Sequence, residues 1–290
     1  MDDNNSFGKG GEDSNKIKKI PKKYKNLITN INELEKDFKA LTDTELRTKT
    51  FELQNEYKET KDLNNLISRS FALTREASIR TLGLRHFDVQ LFAGLVLNNN
   101  KIAEMNTGEG KTLVATLPAS LNALTKEGVH IITVNDYLAN RDQVSMGQVY
   151  RFIGFDTGLI QTNMTSVERK VNYKADITYV TNSEVTFDYL RDYSTTSFNN
   201  VVLRPKPFNY GIIDEVDSIL IDEAQTPLIL AANNNNSFID KKYETAVYLI
   251  SYLKPNIDYK IDEKNKNVIL SESDILKDRA KSCGYYKKSI

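Results

Sequence analysis

The residues with the clearest capacity for chemistry lie in one run, Met105 to Thr112, with the sequence MNTGEGKT. Phosphate binding needs backbone N–H groups that converge on an anion, and glycine is required where a Cβ atom would obstruct the turn. Gly108 and Gly110 meet this need, Lys111 can reach the β and γ phosphates, and the Thr112 hydroxyl can ligate Mg²⁺. The run therefore predicts an ATP or GTP site, although the general P-loop motif has glycine where this chain has Met105. A glycine-rich turn without a ligand is the alternative.

A pair of carboxylates forms the second candidate group. Asp214 and Glu215 directly follow the apolar run Tyr210 to Ile213, where a Walker B sequence belongs in an NTPase. Asp214 can hold the Mg²⁺ shell, and Glu215 can polarise the water that attacks the γ phosphate. The same pair could instead sit at a helix amino terminus and make only a favourable dipole contact.

Gln90 is the third candidate, because its side-chain amide offers the acceptor and donors that an adenine edge requires. Alternatively, Gln90 is an ordinary polar helix residue. His130 lies inside an apolar run and is interpreted as structural. No serine–histidine–aspartate set, cysteine–histidine pair or histidine cluster competes with the nucleotide site.

The elements that must position these residues follow from short apolar runs that alternate with helix-length segments. Runs rich in Ile and Val are typical of strands buried on both faces, so the pattern predicts an α/β fold with a parallel, doubly wound sheet. In such sheets ligands bind at the carboxyl ends of the strands. The predicted strands are Lys101 to Met105, Val129 to Val134, Gly158 to Gln161, Ile177 to Thr181 and Tyr210 to Val216.

Helices are predicted before this sheet. Residues 1–15 are typical of a solvated tail, and the basic segment Lys16 to Lys25 could touch an anionic membrane surface or simply be solvated. Apolar residues at helical spacing begin near Thr29, Thr42 with Glu45 is a capping-box signature, and a third helix is predicted near Leu63 to Leu82.

A different composition follows the sheet. Asn233 to Asn236 is interpreted as a linker. A helix near Lys241 to Leu253, a hairpin of Tyr259 to Asp262 with Val268 to Leu270, and a helix from Ser271 are predicted after it.

Composition excludes several classes. The chain has 290 residues, with 39 basic and 39 acidic side chains. This balance gives no general electrostatic affinity for nucleic acid. Cys283 is the only cysteine, so neither an intrachain disulfide nor a cysteine-based zinc site can form. The sequence has no apolar run long enough to span a bilayer and no recognisable signal peptide.

Six motifs, in order, resemble the SecA family of protein-translocating ATPases. The likeness runs from about Tyr24 to the end of the chain, and the P-loop variant with Met105 is that family's own. The motifs are Arg85 to Gln90, Met105 to Thr112, Thr133 to Leu138, Asp176 to Glu184, Phe187 to Asp192 and Asp214 to Ala224.

The resemblance implies an ATP-driven motor that pushes unfolded preproteins through the SecY/SecE channel, with ATP and Mg²⁺ bound and a RecA-like lobe as its core. Gln90 would contact adenine, Gly108, Glu109, Gly110, Lys111 and Thr112 would hold the phosphates and metal, and Asp214 with Glu215 would serve metal and water. Asp214 would hold Mg²⁺ through water. A homodimer is a further expectation.

The resemblance also implies a domain division. A flexible basic tail (1–23), a helical segment (24–84), RecA-like lobe 1 (85–230) and the start of a preprotein-binding domain (231–290) are expected. The family's second RecA-like lobe, which supplies an arginine to the ATP site, is absent from these residues. Gln225 replaces the family's Arg, which bears on coupling to the preprotein-binding domain, and Tyr193 replaces its Asn.

The bias toward Asn and Lys favours a plastid-encoded protein, in the stroma and peripheral on the thylakoid membrane, over a bacterial one in the cytoplasm and on the inner membrane. A RecA-like nucleic-acid helicase and a nucleotide-binding fragment with little turnover are the alternative functions. Asp214 to Asp217 lacks the alanine of DEAD-box helicases, and no nucleic-acid partner is expected.

Overall fold

The computed structural model describes residues 20–229, 247–248, 250, 253–262 and 267–270. The chain forms two compact units, residues 1–230 and 231–290. Several predictions lie outside the described residues: the tail 1–15, the Asn233 to Asn236 linker and the helix from Ser271.

Three helices open the described part of the first unit: α1 (Lys22–Ala40), α2 (Asp43–Thr60) and α3 (Ile67–Leu82, preceded by a 3₁₀ turn, Asn64–Leu66). Helix α1 begins earlier than the predicted Thr29, directly after Pro21, whose fixed φ suits the entry to a helix. The capping box that precedes α2 is confirmed: Thr42 N–H donates to Glu45 Oε2 (2.7 Å), and Glu45 N–H donates to Thr42 Oγ1 (3.3 Å). Gly83, with φ 68°, ends α3.

A four-stranded parallel sheet forms the centre of this unit, which confirms the predicted α/β class and RecA-like lobe. The strand order β2-β3-β1-β4 places β1 between β3 and β4. The strands are β1 (Val129–Thr133), β2 (Thr157–Leu159), β3 (Ile177–Thr181) and β4 (Tyr210–Ile213), and the helices around them are α4 (Asp88–Asn98), α5 (Lys111–Ala123), α6 (Asp136–Phe152), α7 (Ser166–Tyr173) and α8 (Asn182–Ser194).

The predicted strand Lys101 to Met105 is wrong. This segment has no regular secondary structure and pairs with no strand in the described part of the chain. Asn100 turns the backbone with φ 54°, and the Ile102 side chain is 78% exposed. The segment therefore lacks both the ladder partner and the burial that would make an apolar run a strand.

Arg204 makes hydrogen bonds to the backbone at the amino ends of β1 and β3. Its guanidinium donates to the carbonyls of Lys126, Tyr173, Lys174 and Ala175, at distances from 2.5 to 2.9 Å. These carbonyls precede β1 and β3, so the contacts satisfy backbone groups at the amino ends of the strands. The opposite, carboxyl ends of the strands carry the candidate site.

A buried ionic cluster joins α7 to α8. Arg169 lies 2.8 Å from Asp188 and 2.6 Å from Glu184, and Tyr173 donates a hydrogen bond of 2.9 Å to Asp188. Burial alone would lower the pKa of Arg169, but its ion pairs with Asp188 and Glu184 outweigh burial and raise the pKa. Arg191 also pairs with Asp188, from a half-exposed position.

His130, in β1, is buried between the rings of Tyr173 and Phe208. Burial, with a smaller contribution from Arg204, lowers its pKa to about 4. The imidazole is therefore neutral near pH 7, as its predicted structural role requires.

The second unit contains the predicted hairpin, formed by antiparallel β5 (Tyr259–Asp262) and β6 (Asn267–Leu270). Of the helix predicted near Lys241 to Leu253, Val247, Tyr248 and Ile250 are helical, Leu253 is not, and the remaining residues lie outside the described part. Within the described residues of both units, no helix has the length and apolarity needed to cross a bilayer.

Candidate nucleotide site

The candidate phosphate loop lies where the sequence predicts, at the amino end of α5. Gly108 and Gly110 adopt φ values of 85° and 82°, a left-handed conformation that side-chain-bearing residues rarely adopt. A Cβ atom added to Gly110 would lie 2.6 Å from Gln90 Nε2, so a side chain at this position would displace the Gln90 amide. The first N–H groups of α5 have no acceptor within the helix, which makes this terminus suitable for an anion.

Glu109 closes the loop on itself. Its carboxylate accepts hydrogen bonds from Asn106 N–H (3.0 Å) and Asn106 Nδ2 (3.3 Å), and its own N–H donates to the Asn106 carbonyl. Lys111 Nζ lies 3.4 Å from the Met105 carbonyl, and the Lys111 side chain is exposed at the start of α5. This contact uses the backbone carbonyl of Met105 and not its side chain, so any residue at this position could make it.

Gln90 is buried and uses its amide within the protein. Its Oε1 accepts from Phe87 N–H (2.9 Å), and its Nε2 donates to the Glu109 carbonyl (2.9 Å). The residue predicted to contact the base thus lies against the loop predicted to hold the phosphates. A base bound here would compete for, or extend, these two hydrogen bonds.

Lys111, Thr112 and Asp214 line one cavity of about 60 Å³ at the carboxyl ends of β1 and β4. The Asp214 N–H donates to the Ile132 carbonyl (2.9 Å), which extends the pairing of β4 with β1 by one bond and fixes the position of the carboxylate. The structure therefore brings together three predicted groups: the ammonium, the hydroxyl and the first carboxylate of the acidic pair.

Glu215 does not line this cavity, and its side chain is exposed. Its backbone is left-handed, with φ 52°, and its N–H donates to Asp214 Oδ1 (3.0 Å). A turn this sharp sends consecutive side chains in different directions, so Asp214 lines the cavity and Glu215 does not. Left-handed backbone is uncommon for residues other than glycine and concentrates at functional sites.

Two residues outside the motifs predicted to form the site, Asp142 in α6 and Tyr179 in β3, line the same cavity. Asp142 is buried and accepts a hydrogen bond of 2.8 Å from Arg141 Nε; this contact, followed by smaller contributions from Tyr137 and Asp214, raises the pKa of Arg141. Burial raises the pKa of Tyr179 well above its usual range, so its hydroxyl stays protonated. An aspartate among apolar positions of an amphipathic helix is the signal that would have pointed to Asp142.

The groups at this cavity fit Mg²⁺ bound together with a nucleotide. No group of three His, Cys, Asp or Glu side chains in the described part of the chain could hold a metal ion alone. Mg²⁺ commonly takes one or two protein oxygens and completes its shell with water and substrate phosphates. The Thr112 hydroxyl and the Asp214 carboxylate are oxygen donors of this kind.

Comparison with known proteins agrees with this geometry. The SecA DEAD-like domain family matches residues 12–281. The chain belongs to this family. Protein translocase subunit SecA of Thalassiosira pseudonana is 64% identical over 249 residues, which cover 86% of this chain and 28% of that protein.

Two further SecA proteins match most of this chain. SecA of Phaeodactylum tricornutum is 68% identical over 229 residues, which cover 79% of this chain and 25% of that protein. SecA of Trichormus variabilis is 55% identical over 251 residues, which cover 87% of this chain and 27% of that protein. The chain thus spans 25–28% of the length of these relatives.

Proposed function

We propose that this chain is the amino-terminal portion of an ATP-driven motor subunit of the Sec translocase, which couples ATP hydrolysis to the movement of unfolded preproteins through a SecY/SecE channel. The observation that carries the proposal is the shared cavity of Lys111, Thr112 and Asp214 at the carboxyl end of a parallel sheet. Family membership supplies the cargo, since the similar proteins are protein translocase subunits.

The residues around this cavity would bind the phosphates and Mg²⁺. The α5 terminus, with Gly108, Glu109 and Gly110, would hold the phosphates of ATP, and Lys111 would place its positive charge beside them. Thr112 and Asp214 would hold Mg²⁺, Asp214 through water; the ion would neutralise charge that develops on the phosphates.

Glu215 and Gln90 would complete the site. Glu215 would accept a proton from the attacking water, and its exposed position leaves room for that water. Gln90 would contact the adenine edge. Its hydrogen bond to the Glu109 carbonyl supports a place beside the bound nucleotide.

Partners, domains and location belong to the same proposal. We propose SecY/SecE, unfolded preproteins and an anionic membrane surface as partners, and a homodimer as an assembly. Residues 24–84 would be a helical segment, 85–230 the first RecA-like lobe and 231–290 the start of a preprotein-binding domain. Relatives from diatoms and cyanobacteria support the plastid stroma and thylakoid membrane, with the bacterial cytoplasm and inner membrane as the second location.

The helicase alternative is less well supported. It would need a basic surface to neutralise phosphates, and the chain carries no net charge. Stimulation of ATP turnover by RNA or DNA, but not by an unfolded preprotein, would favour it over the translocase.

Equilibrium binding of a fluorescent ATP analogue tests the nucleotide site. We expect Lys111→Ala to weaken binding by at least about tenfold, because a charge-assisted contact contributes roughly 1.5–3 kcal/mol. Lys58→Ala removes an exposed lysine from α2 and should leave the affinity unchanged. Equal affinities for the two variants would contradict the assigned phosphate loop.

A further inference from the structure

His86 is fully buried between α3 and α5. Its Nε2 lies 3.0 Å from the Leu113 carbonyl and 3.2 Å from Thr116 Oγ1, and its Nδ1 lies 3.3 Å from Ser78 Oγ. Leu113 and Thr116 belong to the first two turns of α5, the helix that opens at the phosphate loop, whereas Ser78 belongs to α3. One imidazole therefore joins these two helices.

The contacts of the ring determine where its proton lies. A carbonyl oxygen can only accept a hydrogen bond, so Nε2 must carry the proton that is donated to Leu113. Burial lowers the pKa of His86 to about 4, which leaves the ring neutral and Nδ1 unprotonated. The Ser78 hydroxyl, which donates to the Leu84 carbonyl (2.6 Å), lies against this Nδ1. The neutral ring thus donates to α5 and contacts α3 through Ser78.

Helix α5 has features that make outside support important. Its N-cap is Gly110, which has no side chain to cap the first N–H groups. Pro118 lies inside the helix and has no N–H to donate to the carbonyl of Val114, so an internal hydrogen bond is missing. The contacts from His86 fall on the same turns, between the glycine cap and the proline.

Neighbours of His86 in sequence extend the link in both directions. Arg85 makes two hydrogen bonds of 2.7 Å to Glu35 in α1, and these contacts are the largest cause of the lowered pKa of Glu35. Gln90 contacts the Glu109 carbonyl in the phosphate loop. The segment 85–90 is therefore attached to the amino-terminal helices on one side and to the phosphate loop and α5 on the other.

We propose that His86 is a positioning residue for the phosphate loop: it holds the first turns of α5 against α3 and thereby fixes the direction in which the N–H groups of residues 110–112 point. The residue touches no substrate and acts through α5. This inference rests on the proposed nucleotide site and adds to it a role for the helical segment before the lobe.

The test compares ATP, ADP and adenosine binding to the 290-residue chain and to two variants. His86→Leu keeps an apolar side chain but removes the donor, whereas His86→Gln keeps an amide donor that can reach the Leu113 carbonyl. We expect His86→Leu to weaken ATP and ADP binding by about five- to tenfold, which corresponds to one lost hydrogen bond of typical strength. Adenosine lacks phosphates, so its affinity should change by less than about twofold.

Recovery by the amide variant distinguishes positioning from general destabilisation. We expect His86→Gln to regain most of the ATP affinity. ATP and ADP affinities within about twofold of the parent in folded His86→Leu would overturn the proposal, as would equal losses for adenosine and ATP. A folded parent chain that binds no ATP would overturn the nucleotide site, and the role of His86 with it.

Thr116→Val tests the proposed role of His86 if His86→Leu does not fold. This change removes the Thr116 hydroxyl that lies 3.2 Å from Nε2 and nearly keeps its volume. A loss of about threefold in ATP and ADP affinity, with adenosine unchanged, would support the proposal. Unchanged ATP affinity in folded Thr116→Val would overturn it.

Discussion

The side-chain amide of Gln90 donates a hydrogen bond of 2.9 Å to the backbone carbonyl of Glu109. This contact joins a residue proposed to read the base to the loop proposed to hold the phosphates. A change at Gln90 should therefore affect both parts of the nucleotide.

Gln90→Ala should weaken ATP binding more than GTP binding, and it should weaken both. Loss of the adenine contact affects ATP alone, whereas loss of the Glu109 contact loosens the phosphate loop for either nucleotide. We expect a decrease of roughly tenfold for ATP and a few-fold for GTP, from one or two hydrogen bonds of typical strength. Titration calorimetry with each nucleotide measures the difference.

Gln148→Ala is the matched control, because Gln148 is an exposed glutamine of α6. It should leave both affinities unchanged. Equal losses of ATP and GTP affinity in Gln90→Ala would contradict adenine recognition by Gln90. Such losses would still be explained by the lost contact with the phosphate loop.

Glu215→Gln should separate binding from hydrolysis. The amide keeps the size of the side chain but cannot accept the proton of the attacking water, and general bases typically contribute 10²–10⁴-fold to rate. We expect ATP affinity within about twofold of the parent and a single-turnover hydrolysis rate lower by about 100-fold or more.

Asp217→Asn supplies the comparison, since it removes an exposed carboxylate two positions further along the same turn. Its hydrolysis rate should equal that of the parent. Undiminished hydrolysis in Glu215→Gln would refute the role of Glu215 as the base.

Much of the fold could be predicted because local patterns and tertiary structure agree. The capping box of Thr42 and Glu45 and four of the five predicted strands of the sheet are present, although the ends of three of these strands differ. The run Lys101 to Met105 has the composition of a strand, but composition cannot show whether a partner strand lies beside it. The position of Asp142 on the apolar face of α6 is visible in the sequence, but only the tertiary structure shows that this face reaches the cavity beside the phosphate loop.

Arg169→Met should destabilise the first unit strongly. The substitution leaves Asp188 and Glu184 buried without their central cation, and breaking a buried ion pair from one side typically costs about 3–5 kcal/mol. We expect a decrease of this size in the free energy of unfolding, measured by urea denaturation.

Arg191→Met is the control for charge alone, because Arg191 pairs with the same Asp188 from a side chain that is 52% exposed. Exposed pairs contribute about 0–1 kcal/mol, so this variant should stay close to the parent. Similar losses in both variants would show that burial of Arg169 is not the cause.

The two buried histidines should make the protein less stable in mild acid. Their pKa values are about 4 in the folded chain, against 6.5 for the ordinary side chain, because burial disfavours the charged form. Below pH 6.5 the unfolded state binds protons that the folded state does not, so the free energy of unfolding falls as pH falls. The loss approaches its limit near pH 4, where the folded state also binds them.

Between pH 7 and pH 5 each histidine should account for a loss of about 2 kcal/mol. His130→Phe removes one of the two titrating groups and should reduce this pH dependence by about half. Urea denaturation of parent and variant at both pH values measures it. An unchanged pH dependence of the free energy of unfolding in His130→Phe would contradict a neutral, buried His130.

The left-handed backbone of Glu215 lowers the stability of the fold at a residue that is proposed to be catalytic. A φ of 52° suits glycine, and a glutamate held there carries a local strain of about 1–3 kcal/mol. A glycine would relax the turn but would remove the carboxylate proposed as the base. A search for more stable versions of this chain would therefore tend to select against activity at this position.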